Sequence, residues 1–197
     1  MSNETLVDGN TWLIAGLGNP GRKYELNWHN SGFQALDILA RRNRLTVDRI
    51  RFHGLIGQGK ISEDRVILLK PATYMNRSGD AIREAAAYYK IDPSHCLVLY
   101  DDVDISLGQI RIREAGGPGT HNGMRSIVAS LCGENFPRIR IGIGPQPEQW
   151  DIADFVLSDV PDHEKETWLQ SATRAAEAVE AICRDGLQPA MNQFNRH

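Results

Sequence analysis

The chain has 197 residues, of which 41% are hydrophobic, enough for one domain with a substantial core. Lys plus Arg number 22 against 25 Asp plus Glu, so the net charge of −3 excludes a globally cationic nucleic-acid binder and confines any such surface to a local basic patch. The three cysteines, Cys96, Cys132 and Cys183, lack metal-ligand spacing, and the opening MSNETLVDGN has no basic or apolar leader pattern, so a soluble cytoplasmic protein is expected. No apolar run approaches the roughly 20 residues that span a bilayer, and no membrane role is expected.

In chain order, Trp12 to Leu17 is a short apolar run ending in glycine, the pattern of a strand buried on both faces. From Gly32 the residues Phe33, Leu36, Leu39 and Ala40 take helical spacing and end in the basic run 41–44, which suits a helix C-terminus. Residues 54–61 and 65–69 read as a hairpin across Ser62, Glu63 and Asp64. An alanine-rich helix over Asp80 to Lys90 is closed by Asp92-Pro93, and Cys96 to Tyr100 is a second buried strand. Residues 109–114 alternate, 121–132 are helical in pattern, 138–143 alternate again, and 161–184 form a helix with Ala and Val on one stripe. No linker or repeat divides the chain. This order predicts a single α/β domain over 1–197, an αβα sandwich with a mixed central sheet on which the helical region 161–184 packs.

The segment GLGNPG at 16–21 satisfies the dinucleotide pattern G-x-G-x-x-G and follows a strand. In a dinucleotide fold a helix would open at the third glycine and aim its amides at the pyrophosphate. Here the next eleven residues, RKYELNWHNSG, carry no apolar helical stripe, and Arg41 and Arg42 stand where an acidic ribose ligand is needed. The segment therefore reads as a loop.

That loop carries His29 at the carboxyl edge of the first strand, where α/β sheets place their chemistry. Asp101 closes the strand Cys96 to Tyr100 at the same edge. A carboxylate there can hold one imidazole nitrogen while the other takes a proton from water, the requirement of general-base hydrolysis. The residues alone leave open a metal site or a solvated turn at Asp101 and Asp102, although no paired-histidine helix accompanies them. His53 and His95 lack such company, His163 falls in a charged helix start and His197 is terminal. Asn76 precedes a helix in which Ser78 and Asp80 are better placed to cap, and Asn122 follows Thr120, itself a candidate cap, so both amides are free to bind an oxyanion or a ribose hydroxyl. Glycines 116, 117, 119 and 123 permit unusual backbone angles or a mobile flap.

Two alternating strands supply the basic patch. Arg111 and Arg113 face away from Ile110 and Ile112, and Arg138 and Arg140 away from Ile139 and Ile141. Either pair alone fits a solvated face. Together, flanking THNG, they suit a phosphate-binding stripe, because guanidinium forks match phosphate oxygens.

The ordered set GLGNPG-x-x-Y-x-x-x-x-HN-x-GF, KPATYMNRSG, YDDVDISLG, GGPGTHNGMRSI and RIRIGIG resembles the bacterial-type peptidyl-tRNA hydrolase family over about residues 12–145, with the helical tail matching more loosely. The resemblance implies a monomer of one αβα domain with no metal or organic cofactor. It implies hydrolysis of the ester joining a peptide to the terminal ribose of tRNA, and hence the recycling of stalled peptidyl-tRNA. It places the catalytic histidine at His29 and its orienting aspartate at Asp101. Asn19, Asn76 and Asn122 fall on its substrate-binding asparagines, with Tyr24 and Met75 beside them, and Asn76 is expected to stabilise the oxyanion. Arg113 and Arg140 match positions that hold the terminal phosphate of the acceptor stem. Two departures stand out: Asn27-Trp28 replaces the usual Thr-Arg, removing a positive charge and adding a large aromatic beside the base, and Gly119-Thr120 replaces Gly-Gly. Rival readings are a non-catalytic RNA-binding protein on the same fold and a small nucleoside or peptide hydrolase indifferent to the tRNA body.

Overall fold

The structure, a computed structural model, describes residues 11–196. The leader pattern sought in residues 1–10, and His197, lie outside the described residues. Seven strands, β1 (Thr11–Gly16), β2 (Arg49–Arg51), β3 (Gly54–Ile61), β4 (Asp64–Pro71), β5 (Cys96–Ser106), β6 (Ile110–Arg113) and β7 (Arg138–Gly144), form one sheet in the order β2-β3-β4-β1-β5-β7-β6. β1 pairs in parallel with β4 and β5, and β5 with β7, while β2–β3, β3–β4 and β6–β7 are antiparallel, so the sheet is mixed as expected. The helices are α1 (Ser31–Arg42), α2 (Ser78–Tyr89), α3 (Asn122–Ser130), α4 (Ile152–Val156), α5 (Asp162–Asp185) and α6 (Leu187–Phe194).

The pleat sorts these into layers. Ile14, Leu97, Leu99, Ile139 and Ile141 point to one face and are buried under α1, α5 and α6, while Leu13, Ala15, Val98 and Tyr100 point to the other under α2 and α3. The result is the three-layer αβα sandwich. The small Ala172, Ala175, Ala176 and Val179 stripe lets α5 lie close to the sheet and α1.

The expected 54–61/65–69 hairpin is present with a two-residue turn, Ile61 pairing with Asp64. β5 is longer than the apolar run predicts: the acidic stretch after Tyr100 stays in the strand through Ser106, paired with β7 at Asp101↔Ile141 and Asp102↔Gly142. Asp101 therefore does not close a strand. It lies past the last β1–β5 pair, Gly16↔Leu99, in the cleft that opens where β1 has turned away. α2 begins at Ser78, and neither Ser78 nor Asp80 caps it: Ser78 donates its hydroxyl to the Met75 carbonyl at 2.9 Å, and Asp80 pairs with Arg77 at 3.1 Å.

Candidate active site

The first loop is fixed by its own asparagines. After β1, the Leu17 N–H donates to the Leu99 carbonyl at 2.9 Å and the Phe33 N–H donates to the Leu17 carbonyl at 3.0 Å, which brings the start of α1 against the end of β1. Gly32 makes that contact possible, since a Cβ there would lie 2.3 Å from the Leu99 carbonyl oxygen. Between them no helix follows GLGNPG. Two 3-10 turns, Arg22–Tyr24 and Trp28–Asn30, occupy the stretch. Asn30 staples the loop, accepting from the Asn19 N–H at 2.8 Å and donating to the Asn19 carbonyl at 3.0 Å. The Asn19 side-chain oxygen in turn accepts from the Met75 N–H at 3.0 Å, tying the first loop to the Met75–Arg77 turn.

His29, in the second 3-10 turn, is 7% exposed and meets Asp101, 2% exposed. Its Nδ1 lies 3.0 and 2.9 Å from the two carboxylate oxygens. An ionised carboxylate only accepts, so Nδ1 carries the proton and Nε2 keeps its lone pair. Nε2 has no protein partner among the described residues. The structure thus brings together the histidine and aspartate that sequence alone could not join.

A third group completes the cluster. His121 Nε2 is 3.1 Å from Asp101 Oδ1, and its Nδ1 accepts the Met124 N–H at 3.2 Å as the N-cap of α3. The cap fixes the tautomer, placing the second proton on Nε2, where it is donated to Asp101. Sequence reasoning gave the capping role to Thr120 and assigned His121 nothing; the signal was its place at the N-cap, one residue before Asn122. Gly123 makes room for this packing, as a Cβ there would lie 2.6 Å from the Met75 sulfur and 3.0 Å from the His121 ring. Its role is close approach rather than an unusual φ, which Gly116 and Gly119 do adopt at 149° and 56°.

Burial by itself would raise the Asp101 pKa, but the adjacent His29 and His121 imidazoles outweigh it and hold the carboxyl below the usual carboxylate range. His29, Asp101 and His121 offer donor atoms within 4.8 Å of one another, close enough for a metal ion. Both nitrogens facing Asp101 carry protons in this hydrogen-bond pattern, however, and a metal would have to displace both and break the α3 cap.

The cleft around this cluster has a volume of about 560 Å³ and is lined by Asn19, Tyr24, His29, Met75, Asn76, Asp101, Arg113, Asn122 and Arg140, whereas Arg111 of the expected stripe is not in its lining. Asn76 and Asn122 are exposed in this lining, Met75 is buried, and Tyr24 is half-buried with the Lys23 ammonium 4.6 Å from its ring centroid. Trp28 is absent from that lining. Its ring is buried against Phe155 and Trp168 at 5.7 and 6.5 Å, and the Asn27 amide donates to Asp159 at 2.6 Å, so the Asn27-Trp28 departure fastens the histidine turn to the segment after α4.

The arginine stripe is divided. In the β6–β7 register Arg111 faces Arg140 and Arg113 faces Arg138. Arg113 is exposed, and Arg140 is half-buried with its Nε 2.7 Å from Asp102. Arg138 lies on the expected face opposite Ile139 but is not solvated there: it is 1% exposed, covered by the loops on either side of α3.

A family model described as "Peptidyl-tRNA hydrolase" matches residues 13–197. Curated relatives named peptidyl-tRNA hydrolase include one from Alkaliphilus oremlandii, 48% identical over 93% of this chain and 98% of its own length, and one from Chloroflexus aurantiacus, 49% identical over 93% and 98%. Among solved structures, the peptidyl-tRNA hydrolase from Acinetobacter baumannii superposes with a TM-score of 0.89 at 38% identity, covering 95% of this chain and 96% of that one.

Proposed function

The chain belongs to the peptidyl-tRNA hydrolase family, and from that membership and the cleft's geometry we propose that it hydrolyses the ester between peptide and tRNA, with His29 as the general base. The observation that carries this reading is the His29 ring, anchored through Nδ1 on a buried carboxylate with its unpartnered Nε2 in the cleft. Nε2 takes a proton from water as the oxygen attacks the ester carbonyl carbon. The imidazolium that forms is stabilised by Asp101 and then returns the proton to the departing ribose oxygen.

The developing oxyanion is met by the Asn76 amide, a neutral donor on the exposed wall. Asn19 and Asn122 position the peptide end and the terminal nucleotide, with Tyr24 and Met75 forming the apolar floor between them. Arg113 and Arg140 bind the terminal phosphate of the acceptor stem, where Arg140 retains donors beyond its bond to Asp102. The reaction needs no metal or organic cofactor in this scheme. The biological role is recycling of stalled peptidyl-tRNA in the cytoplasm, by a monomer in which residues 1–197 form one domain. No helix is long and apolar enough to cross a membrane among the described residues.

The test is release of free tRNA from an N-blocked aminoacyl-tRNA in the presence of a chelator. Turnover under those conditions is the expected result. Binding without turnover would instead make the chain a non-catalytic RNA-binding member of the fold, and turnover abolished by the chelator would overturn the metal-free mechanism.

A further inference from the structure

We infer that Arg138 is a positioning residue: its buried guanidinium clamps the Gly116–Gly117 segment of the flap and so sets His121 and Asn122 at the cleft. The inference rests on the proposed function and adds to it a group that the sequence places among phosphate ligands.

Among the described residues, Arg138 hydrogen-bonds only to main-chain carbonyls. Nε donates to Phe136 at 3.3 Å, Nη2 to Glu134 at 2.8 Å and Phe136 at 3.1 Å, and Nη1 to Gly116 and, at 3.4 Å, to Gly117. The guanidinium also lies 4.1 Å from the Phe136 ring centroid. These contacts join two loops that have little else in common. One, residues 114–121, leads from β6 to α3, and the other, residues 132–137, leads from α3 to β7. A backbone bond joins them too, the Gly116 N–H donating to the Glu134 carbonyl at 3.3 Å.

A planar fork with five donors suits this task, because it spreads over carbonyls diverging from two loops where an ammonium would reach fewer of them. A cation surrounded by carbonyls is also held by the partial negative charge of each, which offsets part of the burial that lowers the Arg138 pKa. The flap it grips contains Gly116 at φ 149° and Gly119 at φ 56°, conformations that impose little order on their own. Four residues beyond Gly117 stands His121, whose ring both caps α3 and donates to Asp101. Releasing the clamp would loosen the segment that delivers this ring and the adjacent Asn122.

A phosphate ligand and a flap clamp predict different losses. Arg138→Lys preserves the charge but not the fork. As a clamp, Arg138→Lys lowers kcat/KM about tenfold or more, the scale of one lost charge-assisted hydrogen bond, on both an N-blocked aminoacyl-tRNA and its 3′-terminal adenosine ester, and leaves the salt dependence unchanged. Amide hydrogen exchange supplies a readout independent of activity. Exchange of residues 115–121 accelerates by a similar factor in Arg138→Lys while β1 and β5 amides keep wild-type protection. In Arg138→Ala, added ethylguanidinium slows flap exchange again and restores part of the turnover.

Unchanged flap exchange in Arg138→Lys, or a loss confined to full-length tRNA with a flattened salt slope, would overturn the clamp. If wild-type protein hydrolyses neither substrate, the proposed function falls while the exchange measurement still decides whether Arg138 holds the flap.

Discussion

At the centre of the sheet, past the end of β1, a single carboxylate is shut away from solvent and receives hydrogen bonds from two imidazoles. At the β6–β7 edge, by contrast, arginines face arginines across two strands, with Asp102 set against Arg140. Like charges opposite one another on a sheet are destabilising, so the edge keeps its positive field at a cost in stability. The centre fixes geometry and is insulated from salt. The edge offers charge to something outside and answers to ionic strength. The proposed chemistry and the proposed grip on the acceptor stem thus occupy regions built by different physics, and substitutions should separate them.

The largest effect is expected at the centre. His29→Ala removes the proposed proton acceptor and should lower kcat by about 10² to 10⁴, the usual worth of a general base, while tRNA affinity stays near wild type. Single-turnover hydrolysis beside a binding titration checks both halves. Asp101→Asn should lower the rate through the same imidazole, so the double variant His29→Ala, Asp101→Asn should be scarcely slower than His29→Ala alone. Fully multiplicative losses would show that the two residues do not act as one unit.

Next comes the edge. Arg113→Ala with Arg140→Ala should weaken binding of the full tRNA substrate by about ten- to a hundredfold and reduce the slope of log affinity against log salt by about one for each phosphate that is no longer neutralised. The terminal adenosine ester should be hydrolysed as before, because in the proposed complex these side chains meet only the distant phosphate. Equal losses on both substrates would erase the contrast between the two regions.

The two regions differ in how far the sequence alone reveals them. His29 is readable because a glycine turn after a buried strand, followed by a helix that starts late, leaves a polar loop at the carboxyl edge of the sheet. The extent of β5 is not, because Asp-Asp-Val-Asp has poor strand propensity, and pairing with β7 together with the Arg140 bond to Asp102 overrides it. Alternation puts Arg138 correctly on the face opposite Ile139 but says nothing of what covers that face. The loop just before Arg138 and the Gly116–Gly117 segment do, and no local pattern encodes the approach of the second. β2 and α4 are too short for periodicity to register. His121 is hidden by residue type, since Thr120 beside it is the commoner cap.

His121 links the legible and the illegible halves of the site, and its two bonds can be cut separately. His121→Ala removes both the α3 cap and a donor to Asp101, and should cost about 0.5–2 kcal/mol of stability for the cap along with a roughly tenfold fall in rate for the charged hydrogen bond. His121→Asn supplies a good capping side chain too short to reach Asp101, so stability should return while the rate does not. Thermal unfolding and kcat measured on both variants check this. A rate that recovers with the cap would mean that His121 serves only α3.

The smallest effect concerns Asp101 and pH. Its carboxyl is held below the usual range in the folded chain, while the unfolded value is about 3.9. A carboxyl with a depressed folded pKa binds more protons in the unfolded state, so its stabilising contribution is fully present above about pH 4 and is lost as pH falls through the folded value. Asp101→Asn has no such proton to bind. The stability difference between wild type and Asp101→Asn, measured by urea unfolding, should therefore narrow as pH falls below about 4. A gap that stays constant through the acid range would mean that Asp101 is not stabilised as an anion between its two imidazoles, and the insulated centre would lose the feature that distinguishes it from the edge.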